Sequence, residues 1–321
     1  MTDLAKLGTV GGGLVRPECV LATRAGDLYT ADWRGGVAHT RPDGRQTLYT
    51  PPMVDGLTLR PNGIALMADG SFLVTQLGEN DGGVYHLSRD GRIRPWLMQV
   101  DGVNLPPTNF VVQDGAGRTW VTVSTRMTPR AQGYRSDVAN GFIVCVDAGG
   151  GAAIVADGLG YTNEVALDAT GRWLYVNETF GRRVSRFRVA PDGSLGPRET
   201  FTTFGAGTYP DGLAFDEQGD LWVVSIVSNR LIRVAPDGSQ RIWLQDVDPV
   251  HLAWTEAAFQ NGELGRPHLD GVKSQRLCNI SSIAFAGPER RLGVFGCLLG
   301  DQLHTLNMPA PGLAPHHWSF A

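Results

Sequence analysis

Six polar residues recur at corresponding places along the chain: Glu18, Asn62, Asn109, Asn163, Asp211 and Ser281. The steps between them are 44, 47, 54, 48 and 70 residues. Two carboxylates and several amides, with nothing basic in the same register, form a set of oxygen donors. Such a set suits a hard divalent cation, Ca²⁺ first, with Mn²⁺, Mg²⁺ or Zn²⁺ open as alternatives. Any one of these asparagines taken alone is better explained as a turn-capping residue. Taken together with Glu18 and Asp211, the register favours a metal.

What must position these residues is legible in their flanks. Each polar residue is followed by small or apolar residues, a turn with Asp or Gly, and a segment rich in Trp, Tyr or Phe. Asn163-Glu164-Val165-Ala166-Leu167 leads to Trp173-Leu174-Tyr175-Val176, and Asp211-Gly212-Leu213-Ala214-Phe215 leads to Leu221-Trp222-Val223-Val224. Strand-type alternation at a period of about 40–50 residues predicts an all-β chain, a six-bladed β-propeller with four antiparallel strands per blade. The first strand of each blade then lines a central channel, and the six register residues meet at one of its mouths. Pro42-Asp43-Gly44, Pro191-Asp192-Gly193 and Pro236-Asp237-Gly238 predict the turns into outer strands, because proline presets φ and glycine accepts φ > 0. Residues 1–321 are read as a single propeller domain. Its ring is closed by a strand from residues 2–10 or by the C-terminal segment alone.

Composition excludes other classes. With 42 Gly and 19 Pro but 42% hydrophobic residues, the chain is turn-rich and still able to build a core. The 28 basic residues are offset by 32 acidic ones and form no stripe, so a nucleic-acid partner is not expected. No apolar run reaches the roughly 18 residues of a membrane span, and the first residues lack a signal-peptide pattern. The four cysteines have no Cys-x-x-Cys spacing, which predicts reduced, mostly buried thiols and a cytoplasmic location. A Cys19–Cys278 disulfide is the minority alternative. Oligomeric state leaves no trace in the sequence.

The segments Pro17-Glu18, Thr162-Asn163-Glu164-Val165-Ala166-Leu167, Tyr175-Val176-Asn177-Glu178-Thr179 and Pro210-Asp211-Gly212-Leu213-Ala214 resemble the gluconolactonase/senescence-marker-protein (regucalcin) family. The resemblance runs through all the inner strands, over roughly residues 14–306. It implies a six-bladed propeller with a divalent metal. It also implies hydrolysis of lactones, with relatives such as diisopropylfluorophosphatase cleaving phosphorus esters. By the same resemblance Glu18, Asn163 and Asp211 are metal ligands, Asn109 is a further ligand or substrate contact, and Asp211 doubles as the base. The pattern departs at two places. Pro107 stands where sugar-lactone members carry arginine, and Phe110 where an acidic residue is common. These departures, with Tyr161 and Tyr209 two residues before their register positions, point away from a sugar acid lactone and toward a more apolar or aromatic substrate.

A cage of this kind can polarise a carbonyl, and a carboxylate general base, Asp211 or alternatively Glu18, would activate water. Asn62 and Asn109 are the expected amide contacts to a small-molecule substrate, with Phe110, Tyr161 and Tyr209 lining the mouth. No serine, cysteine or histidine triad can be placed in the register. His251, His268, His304, His316 and His317 lack metal-ligand spacing and are read as solvated or locally bonded. Two long segments, 124–140 with Arg126, Arg130, Tyr134 and Arg135, and 246–278 with a short helix near Val250–Phe259, are expected to cap the metal mouth. A basic loop there would suit a carboxylate-bearing substrate or product. Beside the lactonase reading stand a phosphotriesterase-like hydrolase and a non-catalytic, metal-stabilised binding propeller.

Overall fold

The computed structural model describes residues 2–52 and 58–320. Among them, six antiparallel sheets of four strands are arranged around one axis as a six-bladed β-propeller. The inner strands are Val20–Ala22, Pro61–Leu66, Thr108–Gln113, Thr162–Leu167, Tyr209–Phe215 and Ile280–Ala286. Each pairs with the following strand of its own blade and packs beside the inner strands of its neighbours.

The ring closes through the N-terminal segment. Strand Gly8–Val10 is the outermost strand of the sixth blade, pairing Gly8 with Thr305, Thr9 with His304 and Val10 with Leu303. Of the two closures left open by the sequence, this is the one adopted. The C-terminal 3₁₀ turn His316–Ser319 instead buries Trp318 against the first blade, with the Trp318 carbonyl accepting from Arg24 N–H.

The repeated Asp-x-x-Gly turns have a structural reason. In the third blade, Asp114 accepts from Ala116 N–H and Arg118 N–H, and its second oxygen accepts from the Trp120 indole at 2.9 Å. In the fifth, Asp216 does the same with Gln218, Asp220 and the Trp222 indole, again at 2.9 Å. Trp120 and Trp222 are fully buried, so each indole N–H needs this partner; leaving one unpaired would cost about 1–3 kcal/mol. One aspartate thus closes the turn and satisfies the aromatic that fills the blade core.

The inner strands approach so closely that only glycine fits at certain contacts. A Cβ on Gly212 would lie 2.6 Å from the Ser281 carbonyl oxygen, and one on Gly63 would lie 2.6 Å from Phe110 Cα. Both glycines directly follow a register residue. Gly212→Ala forces two backbones apart beside Asp211 and is expected to lower Tm by roughly 3–10 °C. Gly205→Ala, with nothing within 4 Å, should stay within about 2 °C of wild type. Thermal unfolding of the two variants checks this, and equal losses would refute the close-approach argument.

Candidate functional site

Two local irregularities aim the register residues at the channel. The pairing of each inner strand with its neighbour slips where the register residue sits, in five of the blades. The slips fall between Pro61 and Ile64, Thr108 and Phe110, Thr162 and Val165, Pro210 and Leu213, and Ile280 and Ser282. Such bulges release a residue from the ladder and re-aim its side chain. In the first blade Glu18 precedes its strand altogether. In three blades the residue two places earlier has left-handed backbone: Arg16 (φ 50), Tyr161 (φ 68) and Asn279 (φ 62). For Arg16 and Tyr161 this conformation is costly and persists only because the surroundings impose it.

The register residues are buried, with Glu18 at 6% exposure, Asn62 at 2%, Asn109 at 3%, Asn163 at 5%, Asp211 at 3% and Ser281 at 1%. Their hydrogen bonds are one-sided. Asn62 Nδ2 donates to the Asn109 carbonyl at 3.1 Å, and Asn163 Nδ2 donates to Thr179 Oγ1 at 3.0 Å. Asn177, from the second strand of the fourth blade, donates to the Asp211 carbonyl at 2.8 Å. The Oδ1 atoms of Asn62, Asn109, Asn163 and Asn177 are buried without any partner. Ser281 is committed to the neighbouring blade instead, donating to the Glu18 carbonyl at 3.0 Å and tying the sixth blade to the first.

Unpartnered buried oxygens are expensive, and carboxylates beside them make the deficit electrostatic. Burial, then Glu18 and Glu164, push the Asp211 carboxyl well above the ordinary range, against the opposing pull of Arg16 and Asn163. Glu164, beside Asn163 in its bulge, is pushed up to about 8 by burial and the nearby Glu18, despite Ser282 and the Leu213 N–H. Glu18 Oε2 lies 2.9 Å from Arg16 Nη2, in ionic contact but outside hydrogen-bond alignment. The channel therefore holds more acid than permanent cation. Among the described residues no three His, Cys, Asp or Glu side chains cluster as a metal-binding group. The donor set that is present combines carboxylates with amide oxygens, which suits Ca²⁺ better than a softer metal.

Both long segments reach this mouth. In the first, Arg130 and Tyr134 turn inward. Tyr134 packs edge-on against Tyr161 with ring centroids 5.4 Å apart, and both contact Phe180. Arg130 lies beside Tyr161 and within electrostatic range of Glu18. Arg126 pairs with Asp157 and Arg135 with Asp137 on the exterior. In the second segment, helix Pro249–Gln260 is capped by Asp248 and held by Glu256, which accepts from Tyr209 Oη at 2.6 Å and Gly207 N–H at 2.9 Å and pairs with Arg182. The short helix Arg266–Asp270 follows, bringing Arg266 near Tyr134.

Not every expected contact is brought to the mouth. Tyr209 is fully buried, with its hydroxyl committed to Glu256 and its ring edge-on to Phe259. Phe110 faces the other end of the channel, where it lines a cavity of about 660 Å³ with Cys19, Glu164, Leu213, Phe215 and His317. Tyr161 remains at the mouth, inside the cap cluster. His251 and His268 are buried, and His251 Nε2 meets the His268 carbonyl at 2.8 Å. All four cysteines are free thiols, so Cys19 and Cys278 do not pair. Asn177, Arg16 and Arg266 were not singled out from sequence as site residues; for Asn177 the signal was present, in a strand whose neighbours carry the family resemblance.

A six-bladed propeller with a ring of acidic and amide oxygens at one channel mouth is the class that fold and site define. Within it, the chain belongs to the family described as the SMP-30/Gluconolactonase/LRE-like region, whose model matches residues 16–245. A 6-deoxy-6-sulfogluconolactonase from Pseudomonas putida is 28% identical over 305 residues, covering 87% of this chain and 92% of that protein. A gluconolactonase from Xanthomonas campestris shares the fold at 19% identity and a TM-score of 0.68, covering 96% of this chain and 94% of that one. A calcium-binding protein, regucalcin, from Agrobacterium tumefaciens does so at 15% identity and a TM-score of 0.67, covering 98% and 97%. No helix among the described residues is long and apolar enough to cross a membrane.

Two outcomes follow from the electrostatics. Without added divalent ions, Asp211→Asn removes a repelled buried carboxyl and should leave Tm equal to or above wild type. Saturating Ca²⁺ should raise the wild-type Tm by several degrees, about 2.7 kcal/mol at a hundredfold excess over Kd, and leave the variant unmoved. Equal Ca²⁺ shifts in a thermal melt would remove Asp211 from the cage. Glu178 supports the backbone leading into Tyr161 and Asn163: it is fully buried and accepts from Gly160 N–H, Arg183 and Ser185. Burial works against its charge, but Arg183, Ser185 and the Gly160 N–H together hold its carboxyl below the ordinary value. A depressed folded-state pKa stabilises above the unfolded pKa of about 4.5 and is lost as pH falls through the folded value. Glu178→Gln should cost about 2–4 kcal/mol near neutral pH, and this difference should shrink below about pH 4.5 in parallel melts.

Proposed function

We propose that this protein hydrolyses a lactone or related cyclic ester at the mouth formed by Glu18, Asn163 and Asp211, with Asn109 beside them. One observation carries the reading: buried amide oxygens without partners stand around two carboxylates that repel each other. That arrangement is stable only with a cation among the donors, and Ca²⁺ matches their hardness and irregular geometry. Glu18, Asn163 and Asp211 would hold it, with Asn109 contributing an oxygen from the third blade and Asn177 one from the second strand of the fourth. Bound there, such an ion supplies Lewis-acid polarisation of the ester carbonyl and charge to offset the developing oxyanion. The family and the lactonase relatives support the same reaction class.

The chain's own groups do the rest. Asp211 takes the proton from the attacking water. The carbon–oxygen bond of the ring then breaks, the proton passes to the departing ring oxygen, and the product is a hydroxy acid. Arg16 pairs with Glu18 and fixes that carboxylate at the mouth. Asn62 directs its amide nitrogen to the Asn109 carbonyl, so it presents oxygen rather than N–H to the mouth. Tyr134, Tyr161 and Phe180 exclude bulk water from one side.

Proton release should accompany hydrolysis of at least one lactone in a panel of sugar, aliphatic and aromatic members. Activity should vanish in chelator-stripped protein, return with Ca²⁺ or Mn²⁺, and fall about 10²–10⁴-fold in Asp211→Asn. Folded, Ca²⁺-loaded protein that opens no lactone but cleaves phosphotriesters would replace this reading with the phosphotriesterase one. Turnover of neither would leave a binding propeller.

A further inference from the structure

The cap carries a charge imbalance that lactone opening does not require. Three guanidinium groups from three separate segments lie near the mouth: Arg16 ahead of Glu18, Arg130 from the first cap segment, and Arg266 from the second. Arg16 lies within electrostatic range of both others, as well as of Glu18 and Asp270. Their exposures grade from rim to interior, with the Arg266 side chain 39% exposed and that of Arg16 only 9%.

Arginines elsewhere on these segments are neutralised. Arg126 has Asp157, Arg135 has Asp137, and Arg182 has Glu256. At the mouth, Arg16 has Glu18 and Arg266 has Asp270. Among the described residues Arg130 makes no ion pair with a carboxylate within 4.0 Å; it lies near Tyr161 and Tyr134, with Glu18 also in electrostatic range. Glu18 moreover is shared with the cage and offsets Arg16 only in part. A second pair of arginines frames the first blade, where the Arg16 and Arg60 guanidiniums lie 4.3 and 5.6 Å from the Trp33 ring centroid. A half-buried cation with no carboxylate in direct ion-pair contact is costly for the fold alone. The planar guanidinium fork matches the oxygens of a carboxylate, sulfonate or phosphate.

We infer that the substrate carries an anionic oxyacid group, seated on Arg130 between Arg16 and Arg266, while its ester end faces Glu18 and Asp211. This deepens the lactonase reading and rests on it. Arg130 is then the residue that sets specificity for charged over neutral substrates.

The test compares glucono-1,5-lactone with 6-phosphoglucono-1,5-lactone on the Ca²⁺-loaded protein. The charged lactone should show a kcat/KM about 10–100-fold higher. Arg130→Gln should remove most of that preference, chiefly through KM, and leave the neutral lactone within about threefold. Arg266→Gln, at the rim, should reduce the preference more weakly and serves if the first variant fails to fold. Equal turnover of the two lactones, or an Arg130→Gln that slows both alike, overturns the inference while leaving the lactonase reading standing. Inorganic sulfate, titrated calorimetrically without any turnover, separates the two. Sulfate binding weakened at least about tenfold in Arg130→Gln supports the anion subsite even if no lactone is opened, in which case only the lactonase reading falls. Sulfate that binds equally to both proteins shows an adventitious ion only and overturns the inference.

Discussion

Acceptor crowding at the propeller axis is the constraint on which the rest depends. Five chain segments bring oxygen atoms to one place, several of them charged or without hydrogen-bond partners, and only Glu18 meets a cation, Arg16, from its own blade. Around this deficit the molecule is built from both directions. Below, the glycines after Asn62 and Asp211 let neighbouring backbones close to contact distance. Above, arginines and tyrosines from the two inserted segments cover the mouth. The proposed cation would satisfy the ring, and the inferred anion the cap.

Repetition and its breaking divide the labour. The repeat supplies blades that are nearly interchangeable, each with an aromatic in its second strand and, in the second to fifth, an aspartate in the first turn. Bulges and left-handed residues then remove the register positions from the ladder and hand them to the channel. Glu178 shows how such irregular backbone is kept in place: its carboxylate gathers Gly160, Ser185 and Arg183 around one buried point. Strain near Tyr161 is thereby supported by a neighbouring strand.

The fold and the donor register were legible because both are written as repeats: the type of residue recurs where the geometry recurs. What the sequence left hidden depends on contacts distant along the chain. Arg130 is indistinguishable from Arg126 and Arg135 until Asp157 and Asp137 are seen to draw the latter two outward. Tyr209 occupies the same place in its blade as Tyr161, yet Glu256, in an inserted helix, claims its hydroxyl. Phe110 follows a bulge, and the extra residue there breaks the alternation by which its facing would be inferred. Either way of closing the ring was compatible with the sequence, since pairing of Gly8–Val10 with Leu303–Asn307 depends on an edge formed at the far end of the chain.

That closing strand ties the chemistry to completion of the chain. Gly8–Val10 has no edge to join until Leu303–Asn307 exists, and the Glu18 carbonyl has no hydroxyl to receive until Ser281 arrives from the last blade. A growing or partly unfolded chain owns individual ligands but not the place where they meet. Capture of the proposed ion would therefore be a property of the closed ring alone, a seal on finished assembly that no fragment of the propeller would display.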